Sequence, residues 1–247
     1  MKKIIFGLCG LIAVFLLLGC TSAPREEKFK IGTILPLTGE LSDQGQSSKN
    51  GITLAVEEIN NSGGINGKQV EVVFEDSQCQ PANAVSAFYK LVDVDEVDVL
   101  IGDICSSASL AIADLADERK MVLVNAGTVA KQLTDSPYVF RIWFSEEKLG
   151  MKIAEKAVQL GCDKMAILYV NNDFGKGFGD VVEEKFLELG GGSVLSQPFS
   201  QEETDFKTGI LKAEDANSAC YFLALYPDGL LSALKQMKEA GIKKATF

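Results

Sequence analysis

The chain has 247 residues, with 24 basic and 34 acidic side chains, six cysteines and no histidine. Without histidine there is no Ser-His-Asp or Cys-His nucleophile and no zinc site of the usual Cys/His kind, and a formal charge of −10 argues against nucleic acid, whose phosphates need a basic stripe. A 47% hydrophobic, 23% charged composition is globular, and the length suits one or two domains.

The N-terminus carries Lys2 and Lys3, then an apolar run over residues 4–18. That run is shorter than the roughly 20 residues of a membrane span and fits a secretory signal core. It ends in Leu17-Leu18-Gly19-Cys20, followed by Thr21-Ser22-Ala23-Pro24. This resembles the lipobox of bacterial lipoproteins, in which the cysteine after a small residue becomes the acylated first residue. The resemblance implies a signal peptide over 1–19, lipidation at Cys20, and a polar tether over 20–28. It places the protein outside the cytoplasm, in the periplasm or on the cell surface, where disulfides persist. Acyl chains would then hold it to the membrane.

From Phe29 onward, β-rich runs alternate with helical patterns. Strands are predicted over 29–35, 70–76, 97–102, 121–125, 164–170, 193–199 and 219–226. Between them Ile52, Ala55, Val56 and Ile59 share one helical face, as do Val85, Phe88, Tyr89 and Val92. Phe178, Val182, Phe186 and Leu189 make another stripe, and Leu230, Leu234 and Met237 a fourth. The glycine pairs and triplets at 63–64 and 190–192 punctuate helix ends. Strands alternating with helices of this length predict an α/β fold with parallel sheets covered on both faces. The series runs twice, with a long helix over about 146–160 opening the second, and residues 138–141 are expected to connect two lobes, 29–144 and 145–247. Two doubly wound lobes would leave a cleft beyond the strands' carboxyl ends.

Four segments converge on one family: Gly32-Thr33-Ile34-Leu35-Pro36-Leu37-Thr38-Gly39, Asn60-Asn61-Ser62-Gly63-Gly64-Ile65-Asn66-Gly67, Glu75-Asp76-Ser77-Gln78-Cys79-Gln80-Pro81, and Ile101-Gly102-Asp103-Ile104-Cys105-Ser106-Ser107. Together they resemble the type I periplasmic substrate-binding proteins of ABC transporters, specifically the leucine/isoleucine/valine-binding group, over about 29–247. The resemblance implies a clamshell that closes on an amino acid and delivers it to a membrane permease, as a monomer without cofactor or chemistry. It assigns the ligand carboxylate to Ser106 and the amino-acid head group to Ala126 and Thr128, and places Tyr226 as an aromatic from the second lobe. Independently, Ser106 opens a predicted helix just past a strand, and such an N-terminus offers free N–H groups and a partial positive charge to an anion. The plainer reading of Ser106 is a helix N-cap.

Three departures from that pattern stand out. Phe174 replaces a frequent tyrosine, and Gln44 stands where an aromatic pocket residue is expected, which argues against strict leucine specificity. The sequence stops at Phe247, where the family pattern continues. The resemblance implies C-terminal truncation, with the acidic partner of the ligand ammonium beyond Phe247 and weak ligand binding by the 247-residue chain. Cys79 and Cys105 match a disulfide of the leucine-binding relatives. Cys9 goes with the signal, while Cys162 and Cys220 each precede a strand and read as small buried thiols, a second bridge being the alternative. Gly175-Lys176-Gly177-Phe178-Gly179 fails the dinucleotide spacing because Asp180 stands at the third glycine position. The sequence thus predicts a lipid-anchored ABC-transporter binding component. The alternatives are a ligand-sensing receptor module of the same fold or a non-functional fragment; an exported enzyme lacks its base and nucleophile elbow.

Overall fold

A computed structural model describes residues 27–247. The expected signal peptide, Cys9 and the expected acylation site Cys20 lie outside the described residues, as does nearly all of the expected tether. Two wholly parallel sheets make up the fold. The first has the order β2-β1-β3-β4-β5, from β1 (Phe29–Leu35), β2 (Val70–Asp76), β3 (Val99–Gly102), β4 (Leu123–Asn125) and β5 (Val139–Arg141). The second has the order β7-β6-β8-β9, from β6 (Lys164–Val170), β7 (Gly192–Phe199), β8 (Cys220–Ala224) and β9 (Ala245–Thr246). In each sheet the first strand sits inside, so the winding reverses beside it, which opens a crevice at the carboxyl ends.

The helices are α1 (Ser42–Asn61), α2 (Pro81–Tyr89), α3 (Ser106–Arg119), α4 (Glu146–Gln159), α5 (Asp173–Glu188), α6 (Lys207–Asp215) and α7 (Pro227–Glu239). Strand β6 illustrates why the second sheet needs helices on both faces. Its side chains alternate, sending Met165 and Ile167 into a cluster with Phe178, Val182 and Phe186 of α5. Ala166, Leu168 and Val170 point the other way, against Phe206 and Ile210 at α6 and Ala233 and Met237 of α7. A strand buried on both faces has no room for polar alternation, hence the unbroken apolar run of Met165 to Leu168.

In the first sheet, Ile34, Leu100, Leu123 and Val139 share a core with Phe88 of α2 and Ile112 of α3. The opposite face is more thinly covered. Only Gly45 of α1 is buried, and of the predicted stripe Ile52, Val56 and Ile59 are half-buried while Ala55 is exposed. Two other stripes are rotated from expectation. In α2 the buried set is Ala84, Ala87 and Phe88, and Tyr89 turns outward, where the Arg119 guanidinium lies 5.7 Å from its ring. In α7 it is Ala233 and Met237, with Leu234 exposed.

The connection between the sheets also differs from expectation. Residues 139–141 are a fifth strand paired with β4, because an apolar segment at a sheet edge satisfies its backbone by joining the ladder. The crossover proper is 142–145, and it carries exposed Ile142, Trp143 and Phe144. Cys79 and Cys105 are joined, as the resemblance implied. Cys162 and Cys220 are joined too, which corrects the reading of them as free thiols. With β8 paired directly to β6, their Cα atoms stand 5.8 Å apart, within disulfide reach. The glycines of 175–179 answer to packing. A Cβ on Gly175 would fall 2.1 Å from the Val170 carbonyl oxygen, so α5 approaches β6 as closely as backbone allows.

Candidate functional site

Four loops following strand ends meet between the two sheets. Strand β3 leads into α3 through residues 103–105, and Ser106 is the first residue of that helix. Its N-cap position is held by Cys105, so Ser106 is not the cap. The Ser106 side chain is instead buried, and the Thr128 hydroxyl donates to its Oγ at 2.9 Å. With Thr128 donating, the Ser106 O–H remains available to an acceptor. The first intrahelical bond of α3 is made by the Ser109 N–H to the Cys105 carbonyl, leaving the N–H groups of 106–108 at the open end of the helix. A hydroxyl pair at such an end suits a carboxylate.

Thr128 is placed by the loop after β4, where its N–H donates to Asn125 Oδ1 at 3.0 Å. Ala126, on the same loop, is exposed. From the second sheet, Asn172 caps α5, accepting the Gly175 N–H at 3.1 Å, and Phe174 follows in the first turn. The Phe174 ring lies parallel to that of Tyr226, with centroids 5.2 Å apart. Tyr226 packs against the apolar clusters of both sheets, so its ring sits where the halves meet. Asn172 Nδ2 donates to its hydroxyl at 3.2 Å. Burial is the main cause that pushes the phenol up to about 12, with Glu40, Asp103 and Asp173 adding to it against the pull of Asn172. It is therefore a neutral phenol with a proton to donate.

The halves also touch through Asp173, whose N–H donates to Ser107 Oγ at 3.2 Å. A cavity of about 200 Å³, which none of these residues lines, is bounded by Glu40 from the first half and by Gln201, Glu202, Thr204 and Asp228 from the second. Burial, then repulsion from Asp228, raises the Glu40 carboxyl above its ordinary value. Gln44 lies exposed on the first turn of α1, and no hydrogen bond links its amide to Ser106, Thr128, Phe174 or Tyr226. The structure thus brings Ser106 and Thr128 into contact and stacks Phe174 on Tyr226, while Gln44 stands apart. Asn125, Asn172, Asp103 and Glu40 escaped sequence reasoning. Only Asn172, directly before a helical run, carried a legible signal.

Asn172→Ala removes both the α5 cap and the donor to Tyr226. A loss of about 1 kcal/mol in urea unfolding is expected, and a change below a few tenths would show the cap to be idle. Among the described residues no group of three His, Cys, Asp or Glu side chains is placed to hold a metal ion, and no helix is long and apolar enough to cross a membrane.

The family profile described as periplasmic binding protein matches residues 28–247. The Leu/Ile/Val-binding protein homolog 2 of Brucella abortus is 31% identical over 98% of this chain and 65% of its own. A branched-chain amino acid transporter substrate-binding protein from Streptococcus pneumoniae, solved with isoleucine, superposes with a TM-score of 0.80 at 28% identity. That match covers 89% of this chain and 63% of the other. A solute-binding protein of an ABC transporter from Rhodopseudomonas palustris, solved with 3,4-dihydroxybenzoic acid, gives 0.78 at 26% identity, covering 89% and 60%. The chain spans 58 to 66% of the length of the first curated relatives it matches.

Proposed function

The chain belongs to the periplasmic binding protein family, and we propose that it captures an amino acid, branched-chain or a related small zwitterion, for an ABC transporter permease. In this reading Ser106 and the open end of α3 take the ligand carboxylate. The Ala126 carbonyl and the Thr128 hydroxyl take the head group, and the Phe174–Tyr226 stack closes over it from the other half. The clamshell divides at 144/145 and turns on the 142–145 crossover, and the lipidated Cys20 holds it outside the cytoplasmic membrane. Ligand binding stabilises the closed arrangement that a permease recognises. No bond is made or broken. The observation that carries the reading is the buried Ser106–Thr128 hydroxyl pair at the start of α3.

Gln44, exposed on the first turn of α1, is assigned the side-chain end of the ligand in this reading on the resemblance alone. A purely aliphatic ligand would leave that amide unpaired and a hydroxyl would pair with it, so threonine belongs in the panel. Relatives solved with aromatic acids supply the competing ligand class. Saturation-transfer NMR reads weak, fast-exchanging binding, with titration calorimetry covering the tight range. With the purified 247-residue chain they should report L-isoleucine, L-leucine, L-valine or L-threonine and not 3,4-dihydroxybenzoate, and the reverse pattern would overturn the assignment. Ser106→Ala should weaken that binding about tenfold, the worth of one hydrogen bond to a charged group. An unchanged affinity would remove Ser106 from the site.

A further inference from the structure

Asn125 ends β4 and is fully buried. Its carboxamide reaches two loops at once. Nδ2 donates to the Asp103 carbonyl at 2.5 Å and to Ser109 Oγ at 2.7 Å, with the Gly102 carbonyl at 3.3 Å. Oδ1 accepts the Thr128 N–H at 3.0 Å and the Gly127 N–H at 3.3 Å. An amide has two N–H donors and one carbonyl acceptor, so every polar position of this side chain is spent on the loops. Its main-chain carbonyl accepts the N–H of Ile142, where the crossover begins. The loops it joins lie in contact, since a Cβ on Gly127 would fall 2.6 Å from Ile104 Cβ. The Cys79–Cys105 disulfide ties the same 103–105 segment to the turn that follows β2.

We infer that Asn125 is a positioning residue: its amide fixes the separation between Ser106 and Thr128 and so holds the carboxylate site in its binding geometry before a ligand arrives. The inference rests on the proposed function for the ligand, but the clamp itself is a property of the fold. No hydrophobic residue of similar size can replace it, because the buried Gly102 carbonyl and the N–H groups of 127 and 128 would lose this partner and the Asp103 carbonyl would keep only the Ser109 hydroxyl, at 2.8 Å. Preorganisation of this kind appears as affinity, since a loose site must be ordered at the ligand's expense.

Asn125→Asp keeps the acceptor toward Thr128 and sets its second carboxylate oxygen against the carbonyls of 102 and 103. Leu123→Val, on the same strand and buried without polar contacts, is the control for plain destabilisation. L-isoleucine affinity should fall at least tenfold in Asn125→Asp and stay within twofold of the parent in Leu123→Val. Hydrogen exchange of the unliganded proteins supplies a readout that general instability would not localise. In Asn125→Asp the amide of Cys105 should exchange faster while that of Thr128 stays protected, and in Asn125→Leu both should accelerate. Equal affinity losses in Asn125→Asp and Leu123→Val would overturn the inference, as would unaltered exchange at both loops. Should the parent bind no amino acid, the functional reading fails, and the exchange pattern still decides whether Asn125 clamps the loops. If Asn125→Asp does not fold, Ser109→Ala removes one acceptor of the clamp and should weaken binding two- to threefold, an unchanged affinity counting against the inference.

Discussion

Replacing Cys162 and Cys220 together by alanine should lower stability by about 4 kcal/mol, the loop-closure value for a bridge spanning 58 residues. The bond ties the turn before β6 to the first residue of β8, whose Cys220 faces Met165 across the ladder. It therefore joins the origins of the two central strands of the second sheet, and unfolding must otherwise release the long α5–β7–α6 excursion between them. Cys220 is fully buried and Cys162 nearly so, so alanine rather than serine avoids leaving a hydroxyl without a partner in the core. Urea unfolding with and without reductant checks the expectation. The parent should lose the contributions of both bridges on reduction, whereas the alanine variant should lose only that of Cys79–Cys105. A variant as stable as the oxidised parent, to within 1 kcal/mol, would return these residues to the role of packed thiols. Ligand affinity should be unaffected at low temperature, because the bridge lies at the amino ends of the strands and the candidate site at their carboxyl ends.

That bridge shows where sequence reading runs out. Cys162 and Cys220 were visible as strand-flanking cysteines, but their pairing depends on β8 lying directly beside β6, a matter of strand order that periodicity does not report. Strands β1, β2 and β6 were legible to the residue, because each is seven residues of β-favouring type ended by a turn. Strand β5 has three residues and no flanking alternation, so it read as a connection. The rotated faces of α2 and α7 have a similar cause. Small alanines can occupy the tightest contacts with the sheet while larger side chains are pushed to the margin, and a stripe drawn through the largest residues then points aside. At the candidate site, Ser106 and Thr128 stood out through family resemblance and through the strand–helix junction. Asn125 and Asp103 carried no signal, since their roles exist only once the order β3-β4 brings two loops together. Gln44 was placed by correspondence with relatives alone, and no hydrogen bond in the fold ties it to the others.

Asp103→Asn should flatten the dependence of stability on pH between about 4 and 6. The Asp103 side chain is fully buried; one carboxyl oxygen accepts the Cys105 N–H at 2.8 Å and the other has no hydrogen-bond partner. Burial lifts its pKa from the ordinary 3.8 to about 6, with repulsion from Asp76 adding, and the Ser77 hydroxyl and the N–H groups of 104 and 105 offset only part of that. The folded protein thus binds this proton more tightly than the unfolded chain, and stability must fall as pH rises through the window. A displacement of roughly two pH units corresponds to about 3 kcal/mol between its ends. Asp76 acts in the opposite sense: despite burial, hydrogen bonds from Thr38, Gln78 and Leu37 hold it below its ordinary value, so its contribution is lost only at lower pH. Glu40 and Glu146 are both raised, chiefly by burial, and slope the same way as Asp103, so the parent's curve alone assigns nothing. The difference between parent and Asp103→Asn does, because asparagine keeps the acceptor for Cys105 and removes the charge. Urea unfolding at intervals from pH 4 to 7 should give two curves that approach each other at the acid end and diverge toward neutrality, with the variant the more stable at pH 7. Parallel curves would mean that Asp103 reaches water or a counter-charge in solution, and that the segment leading into Ser106 is open rather than packed. Since that segment carries the candidate carboxylate site, the same measurement reports whether the α3 end faces its ligand with a neutral neighbour below pH 6 and a competing charge above it.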